Sequence, residues 1–446
     1  MTTIYSARWV LPVSAAAIEN GAVAVVGQRI AGVGPAGEIV AKFPAAKIES
    51  LGDAVILPGL INTHTHLELT ALRGYLEKEE NDFFAWLRKL TSARLERMTP
   101  DDIHVSATWG ACEAVRAGVT CVGDASDSAL LSMSALQDVG LRGVVYQESF
   151  GPDARLAQEN FEKLKVKVGK LRERESRLVQ AGVSPHAPYT VCAPQLEMIV
   201  ELAHSERLPV MMHAAESDAE ELLLREGCGT FAEGLARRSI EWKAPGLSTI
   251  QYLKQVGILE TMPLLAHCIR VDDDDIETLR NYGAKVAHCP KSNAKLGHGR
   301  APFAKFLRED VVVGLGSDSV ASNNTCDILE EARFATLMAR AAGHNVSASE
   351  ALEAATLGGA LCLELESEAG ELKEGAQADL IAVSLRGIHQ TPNYDPVATL
   401  IFASSGRDVF LTIIAGREVY RDGKVLTVDE ERLRARMNEI AANLHG

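Results

Sequence analysis

Apolar residues along the chain fall into short runs, and most of these runs end in a polar side chain capable of chemistry. The first is Ala54-Val55-Ile56-Leu57-Pro58-Gly59-Leu60-Ile61-Asn62-Thr63-His64-Thr65-His66. Seven more follow: Gly118–Asp124, Arg142–Glu148, Ala181–His186, Leu208–His213, Pro263–His267, Ala284–Cys289 and Val311–Asp318. Amphipathic helical stretches separate them. Strands alternating with helices imply parallel pairing, and eight such units close a (β/α)8 barrel. The predicted fold class is therefore α/β, a TIM barrel.

The two ends of the chain carry a different pattern. Gly21–Gly34 reads as strand, tight turn, strand. Leu411–Val425 repeats that pattern, with Asp422-Gly423 as a two-residue hairpin signal. Both ends are expected to build one small β-sandwich. The predicted boundaries are 1–56 and 366–428 for the sandwich, 57–365 for the barrel, and 429–446 for a C-terminal helix opened by Asp429-Glu430-Glu431.

Composition narrows the function. The 446 residues are 47% hydrophobic and 24% charged, enough for a large core. A net charge of −15 offers no electrostatic footprint for nucleic acid or anionic membranes. The expected partner is a small molecule. Eight cysteines are scattered without a Cys-x-x-Cys pair, which favours buried thiols and a reducing cytoplasm. The N-terminal residues lack the basic-then-apolar pattern of a signal peptide, and no apolar stretch is long enough to span a bilayer.

The candidate chemistry lies at the strand ends. His64 and His66 stand at i and i+2, so a strand points both to one side. In a barrel, the C-terminal strand ends form the active face, and here they carry His64, His66, His186, His213, His267 and Asp318. His64, His66, His213 and Asp318 supply three imidazoles and one carboxylate. Such nitrogen and oxygen ligation suits one divalent ion, zinc or iron(II), and is wrong for calcium or magnesium. A bound cation of this kind makes hydroxide available at neutral pH. Glu216, three residues past His213, is placed to shuttle a proton, and His267 to polarise water or substrate. The fourth strand has no lysine or acid to bridge two metals, so a mononuclear site is expected.

These residues resemble the amidohydrolase superfamily in its cytosine deaminase-like branch. The matching segments are Pro58–His66, His213-Ala214-Ala215-Glu216, Ala266-His267-Cys268, Ser292–Gly297, Gly316-Ser317-Asp318-Ser319 and Gly370–Leu380. The resemblance implies that His64, His66, His213 and Asp318 bind the metal and that Glu216 carries protons. It also implies that His267 orients the water or the leaving group, and that Asp318 accepts a proton from that water. Ser317 stands where the family usually has threonine. Within the branch, the chain is most similar to methylthioadenosine/adenosylhomocysteine deaminases and aminodeoxyfutalosine deaminases. Leu67-Glu68-Leu69, Tyr146–Gly151 and Asp318–Asn323 look more like the second group.

The implied reaction is attack at C6 of an adenosine-like nucleoside with release of ammonia, aminodeoxyfutalosine being the expected substrate. Expected substrate contacts are His186, Glu68, Glu148, Trp86 and Asn323, with Phe83 and Phe84 beside Trp86 as an apolar wall. A homodimer is expected by analogy with the family. Alternatives are a guanine deaminase or a triazine-type chlorohydrolase on the same site, or a scaffold that has lost catalysis. A nucleic-acid base deaminase is not expected, because its Pro-Cys-x-x-Cys signature is absent.

Overall fold

The long apolar run at residues 54–66 is two strands, not one. The computed structural model describes residues 2–445. Five strands open the chain: β1 (Thr2–Val10), β2 (Ile18–Val26), β3 (Arg29–Pro35), β4 (Lys47–Ser50) and β5 (Ala54–Pro58). Eight follow in the middle: β6 (Leu60–Thr65), β7 (Val119–Ser126), β8 (Arg142–Ser149), β9 (Val179–Pro185), β10 (Met211–Ala214), β11 (Leu264–His267), β12 (Lys285–His288) and β13 (Val313–Leu315). The last four are β14 (Leu380–Ser384), β15 (Val409–Ile414), β16 (Arg417–Arg421) and β17 (Lys424–Val425).

Strand β5 sits between β1 and β14 in a nine-stranded sheet built from both ends of the chain. Strand β6 starts the barrel instead. The change of sheet falls at Gly59, where a Cβ would overlap the Thr120 side chain; only glycine lets the backbone pass that close. The apolar run is continuous because both faces of β5 are covered. Ala54 and Ile56 pack among Val10, Val23, Leu380 and Leu411. Val55 and Leu57 pack on the barrel side with Val115, Val119 and Ile381. The sheet curls onto itself: Ile30 N donates to Ala376 O and Ala378 N donates to Gln28 O, each within 2.9 Å.

The barrel consists of two four-stranded parallel sheets, β6-β7-β8-β9 and β10-β11-β12-β13. Isolated bridges Val183–Val210 and Thr65–Asp318 close it into a ring. Ile61, Cys121, Val144, Tyr146, Met211, Leu264 and Ala266 fill its interior, and Ala360, Cys362 and Leu363 pack against that core. A buried bidentate pair ties the barrel to the end sheet. Arg142 on β8 donates to both oxygens of Asp379, whose Oδ1 also accepts from Ala415 N. Long helices start on encoded caps. Helix Pro100–Arg116 opens with Thr99 and Asp102 exchanging hydrogen bonds in a capping box. Helix Glu430–His445 sets Ile440 and Leu444 against Leu72, Leu76 and Trp86, bracing the loop that follows β6. Among the described residues, all eight cysteines are unpaired and no helix is long and apolar enough to cross a membrane.

Gly59→Ala is expected to destabilise the protein by about 1–3 kcal/mol through overpacking at the sheet crossing. Gly37→Ala, in helix Ala36–Lys42 with open space at its Cβ, should instead stabilise by up to about 1 kcal/mol. Urea melts of the two variants check the opposite signs.

Candidate metal and catalytic site

The two seams of the barrel carry the chemistry. At one, Asp318 N donates to His64 O (2.9 Å). At the other, His213 N donates to His186 O (2.9 Å). Closing the ring therefore brings β6, β9, β10 and β13 to one place. The ligand atoms of His64, His66 and Asp318 lie within 4.8 Å of one another, and so do those of His64, His213 and His267. Asp318 Oδ1 is 3.6 Å from Nε2 of both His64 and His66. His66 Nε2 and His213 Nε2 face each other at 3.2 Å.

Acceptors behind the rings set their orientation. His64 Nδ1 donates to Met211 Sδ (3.2 Å), His213 Nδ1 to His186 O (2.8 Å) and His267 Nδ1 to Asn293 Oδ1 (2.8 Å). Each Nδ1 thus holds the proton and each Nε2 a lone pair facing inward. The Nε2 atoms of His64 and His267 are buried with no protein partner. Orphaned donors of this kind, beside a carboxylate, fit a borderline-soft divalent cation such as zinc.

Burial shapes the charge. It pushes His64 down to about 4 and holds His66 and His213 below the ordinary histidine value. Burial works to raise Asp318, but the surrounding imidazoles of His64, His267 and His66 outweigh it and hold it well below the carboxylate range. Its Oδ2 accepts from Ser292 Oγ (2.6 Å) and Ser322 Oγ (2.8 Å), and its Oδ1 from Ser319 N (2.7 Å). Glu216 is raised by burial. Burial works to lower His267, but the Glu216 and Asp318 charges outweigh it and raise it.

Glu216 Oε1 stands 3.7 Å from His267 Nε2, and Oε2 stands 3.5 Å from Tyr189 Oη. It follows Ala215, whose φ of 53° is in the left-handed region, as are those of His267 (75°) and Asp318 (55°). Such turns cost about 1–3 kcal/mol each and need outside support. At Ala215 the support is the buried Glu220 carboxylate, which accepts from Ala215 N, Glu216 N and Thr249 Oγ1 at 2.8–2.9 Å.

A cavity of about 440 Å³ opens above these groups. Glu148, His186 and Trp86 line it, as expected of substrate contacts. Glu148 keeps a buried, unpartnered Oε1, and burial holds it well above the usual carboxylate range. His186 lies between Phe150 and His213, its ring tilted 33° and 37° to theirs. Phe83 and Trp86 form an apolar wall, while Phe84 turns away from this cavity.

Two expectations need correction. Glu68 borders the cavity but has no capacity left for a ligand: it accepts from Arg94, Ser126 Oγ, Asp127 N and Ser128 N. Asn323 lies outside the cavity, where its amide donates to Ser317 O and Glu331 Oε1, both at 2.6 Å. Its place is to hold the turn before Asp318.

Sequence reasoning missed Glu220, Tyr189, Met211 and Arg94. Glu220 hides in a run of helix-opening acids, and Arg94 in what reads as an exposed helix face. Ser292 and Asn293 lie in the matched segment Ser292–Gly297, where nothing local assigns them a role.

Comparison with known proteins agrees with this geometry. The amidohydrolase family model matches residues 55–419. The chain is 34% identical over 435 residues to a 5-methylthioadenosine/S-adenosylhomocysteine deaminase of Pelotomaculum thermopropionicum, covering 95% of this chain and 94% of that one. A protein of the same name from Symbiobacterium thermophilum is 35% identical over 447 residues, covering 98% and 97%. Among solved structures, an adenosine deaminase from Xanthomonas campestris with bound zinc superposes with a TM-score of 0.89 at 28% identity, over 99% of this chain and 98% of that one.

Chelator-stripped protein is expected to rebind one equivalent of zinc as readily at pH 6 as at pH 7.5. An ordinary histidine is mostly protonated at pH 6, whereas burial keeps His64, at about 4, neutral there with its lone pair available. Calorimetric titration at the two pH values checks this.

Proposed function

The chain belongs to the amidohydrolase family, and on that premise we propose that it is a hydrolytic deaminase of adenosine-like nucleosides, working with one divalent metal ion. The observation that carries this reading is the convergence of the Nε2 atoms of His64, His66 and His213 with Asp318 beside the Glu216–His267 pair, at the floor of the cavity. His64, His66, His213 and Asp318 would hold the ion. When bound, such an ion acts as a Lewis acid that brings the pKa of water toward neutrality, about 7.

The protein's own groups then move the protons. Asp318 Oδ1, ionised, accepts a proton from the attacking water. Glu216 is poised to be protonated by its burial, and it donates to N1 of the purine as oxygen adds to C6. His267 orients the water through its Nε2, with its own ring fixed by Asn293. As the tetrahedral carbon collapses, the C6 hydroxyl returns its proton to Glu216, and the amine takes the proton held by Asp318 and leaves as ammonia. The Trp86 and Phe83 faces cover the flat ring, and Glu148 Oε1 accepts from a ribose hydroxyl or a base N–H.

The relatives' names point to 5′-substituted adenosines. Within that class we choose aminodeoxyfutalosine, for the likeness of the segments Leu67-Glu68-Leu69, Tyr146–Gly151 and Asp318–Asn323 to that group.

Glu216→Gln should keep the metal yet lower kcat by about 10²–10⁴; metal content by plasma emission, measured beside turnover, separates the two effects. Ammonia release should occur with aminodeoxyfutalosine, methylthioadenosine, adenosylhomocysteine or adenosine. Guanine and chlorotriazines should yield neither ammonia nor chloride, and activity on either would redirect the assignment.

A further inference from the structure

We propose that a second cavity, separate from the catalytic one, is a binding site for a nucleoside monophosphate. This groove has a volume of about 440 Å³, the same as the catalytic cavity, so a ligand of nucleoside size has room in it. No residue lines both. The groove lies where helix Pro100–Arg116, the start of helix Ile328–Ala341 and the C-terminal helix Glu430–His445 meet. The inference does not depend on the deaminase reading above.

Carboxylates and guanidiniums border the groove in equal number, but only the carboxylates are all engaged. Glu113 accepts from Arg73 and from Cys326 N, and Glu430 accepts from Arg116 and Val425 N. Asp327 accepts from Leu329 N, Glu330 N and Gly406 N. Glu330 accepts from Lys291 Nζ and Thr325 Oγ1. Arg407 and Arg434 are left over. Both are exposed, and among the described residues neither guanidinium has a carboxylate within ion-pair distance. A phosphate monoester carries about −1.5 to −2 at pH 7. Two free guanidiniums therefore match it better than they match a singly charged carboxylate.

The groove also offers a flat apolar surface for a base. Trp109 is half-buried in its wall, and the Arg434 guanidinium carbon lies 5.8 Å from the indole centroid. Guanidiniums and nucleic-acid bases both stack on aromatic faces. The arginine that meets the phosphate thus stands beside the surface that takes the ring. Buried Tyr420 and Cys112 add to the apolar lining. Trp109, Arg407 and Arg434 come from segments far apart in sequence, so a ligand seated among them binds only the folded chain.

Calorimetric titration with UMP, uridine and inorganic phosphate tests the site; uracil carries no amine for a deaminase to remove. The native protein should bind UMP roughly tenfold more tightly than uridine, as two partly exposed ionic contacts allow, and saturating UMP should raise its Tm. In an Arg407→Ala/Arg434→Ala double variant the preference for UMP over uridine should fall to within about twofold. Trp109→Leu should still bind inorganic phosphate, with UMP binding reduced to the same affinity. Failure of UMP to saturate the native protein, or equal affinity for UMP and uridine, overturns the site. So does UMP binding that is untouched in the double variant, the result expected if UMP enters the catalytic cavity instead.

Discussion

Backbone hydrogen bonds at the two closing points of the barrel hold the rest together. A parallel ring must satisfy the polar groups of its last strand against its first. Here one closing bond joins His64 to Asp318, and the other closing point joins His186 to His213. The same bonds that remove the open sheet edges fix the spacing of the side chains on the residues they join. The candidate site is therefore built into the closure of the barrel, and the backbones of His64 and Asp318, or of His186 and His213, cannot separate without opening a seam.

The groups so gathered are costly on their own. Three imidazoles with inward lone pairs and a carboxylate, taken out of water, repel one another or stand unsatisfied. Left-handed turns at Ala215, His267 and Asp318 add strain. The surrounding shell compensates locally: Glu220 clamps the turn at Ala215, the serines at 292 and 322 hold Asp318, and Asn293 holds His267. A cation that pairs with all the inward atoms relieves the remainder, so metal and fold would be thermodynamically linked.

The barrel and the meeting of its strand ends are legible in the sequence because both are period-driven. His64 and His66 share a side by the two-residue repeat of a strand, and each later strand announces its end with a polar residue. What escapes is whatever depends on a neighbour far away in sequence. The run 54–66 reads as one strand, since only the position of Thr120 makes Gly59 a crossing between sheets. Glu68 reads as a free carboxylate at the mouth, since nothing local shows Arg94 folding back to occupy it. Asn323 reads as a mouth residue, but a short helix turns it toward Ser317.

The pairing of β5 with β14 has a kinetic side. Ile56 lies opposite Ala382, and the whole barrel is threaded between them in sequence. Closing so large a loop precedes any reward from the contact, which makes folding slow and strongly non-local. Until β14 docks, β5 leaves a bare edge and two apolar faces open to other chains. During synthesis this region is a natural place for chaperone binding, and a cut inside the barrel would leave neither fragment able to bury its own half.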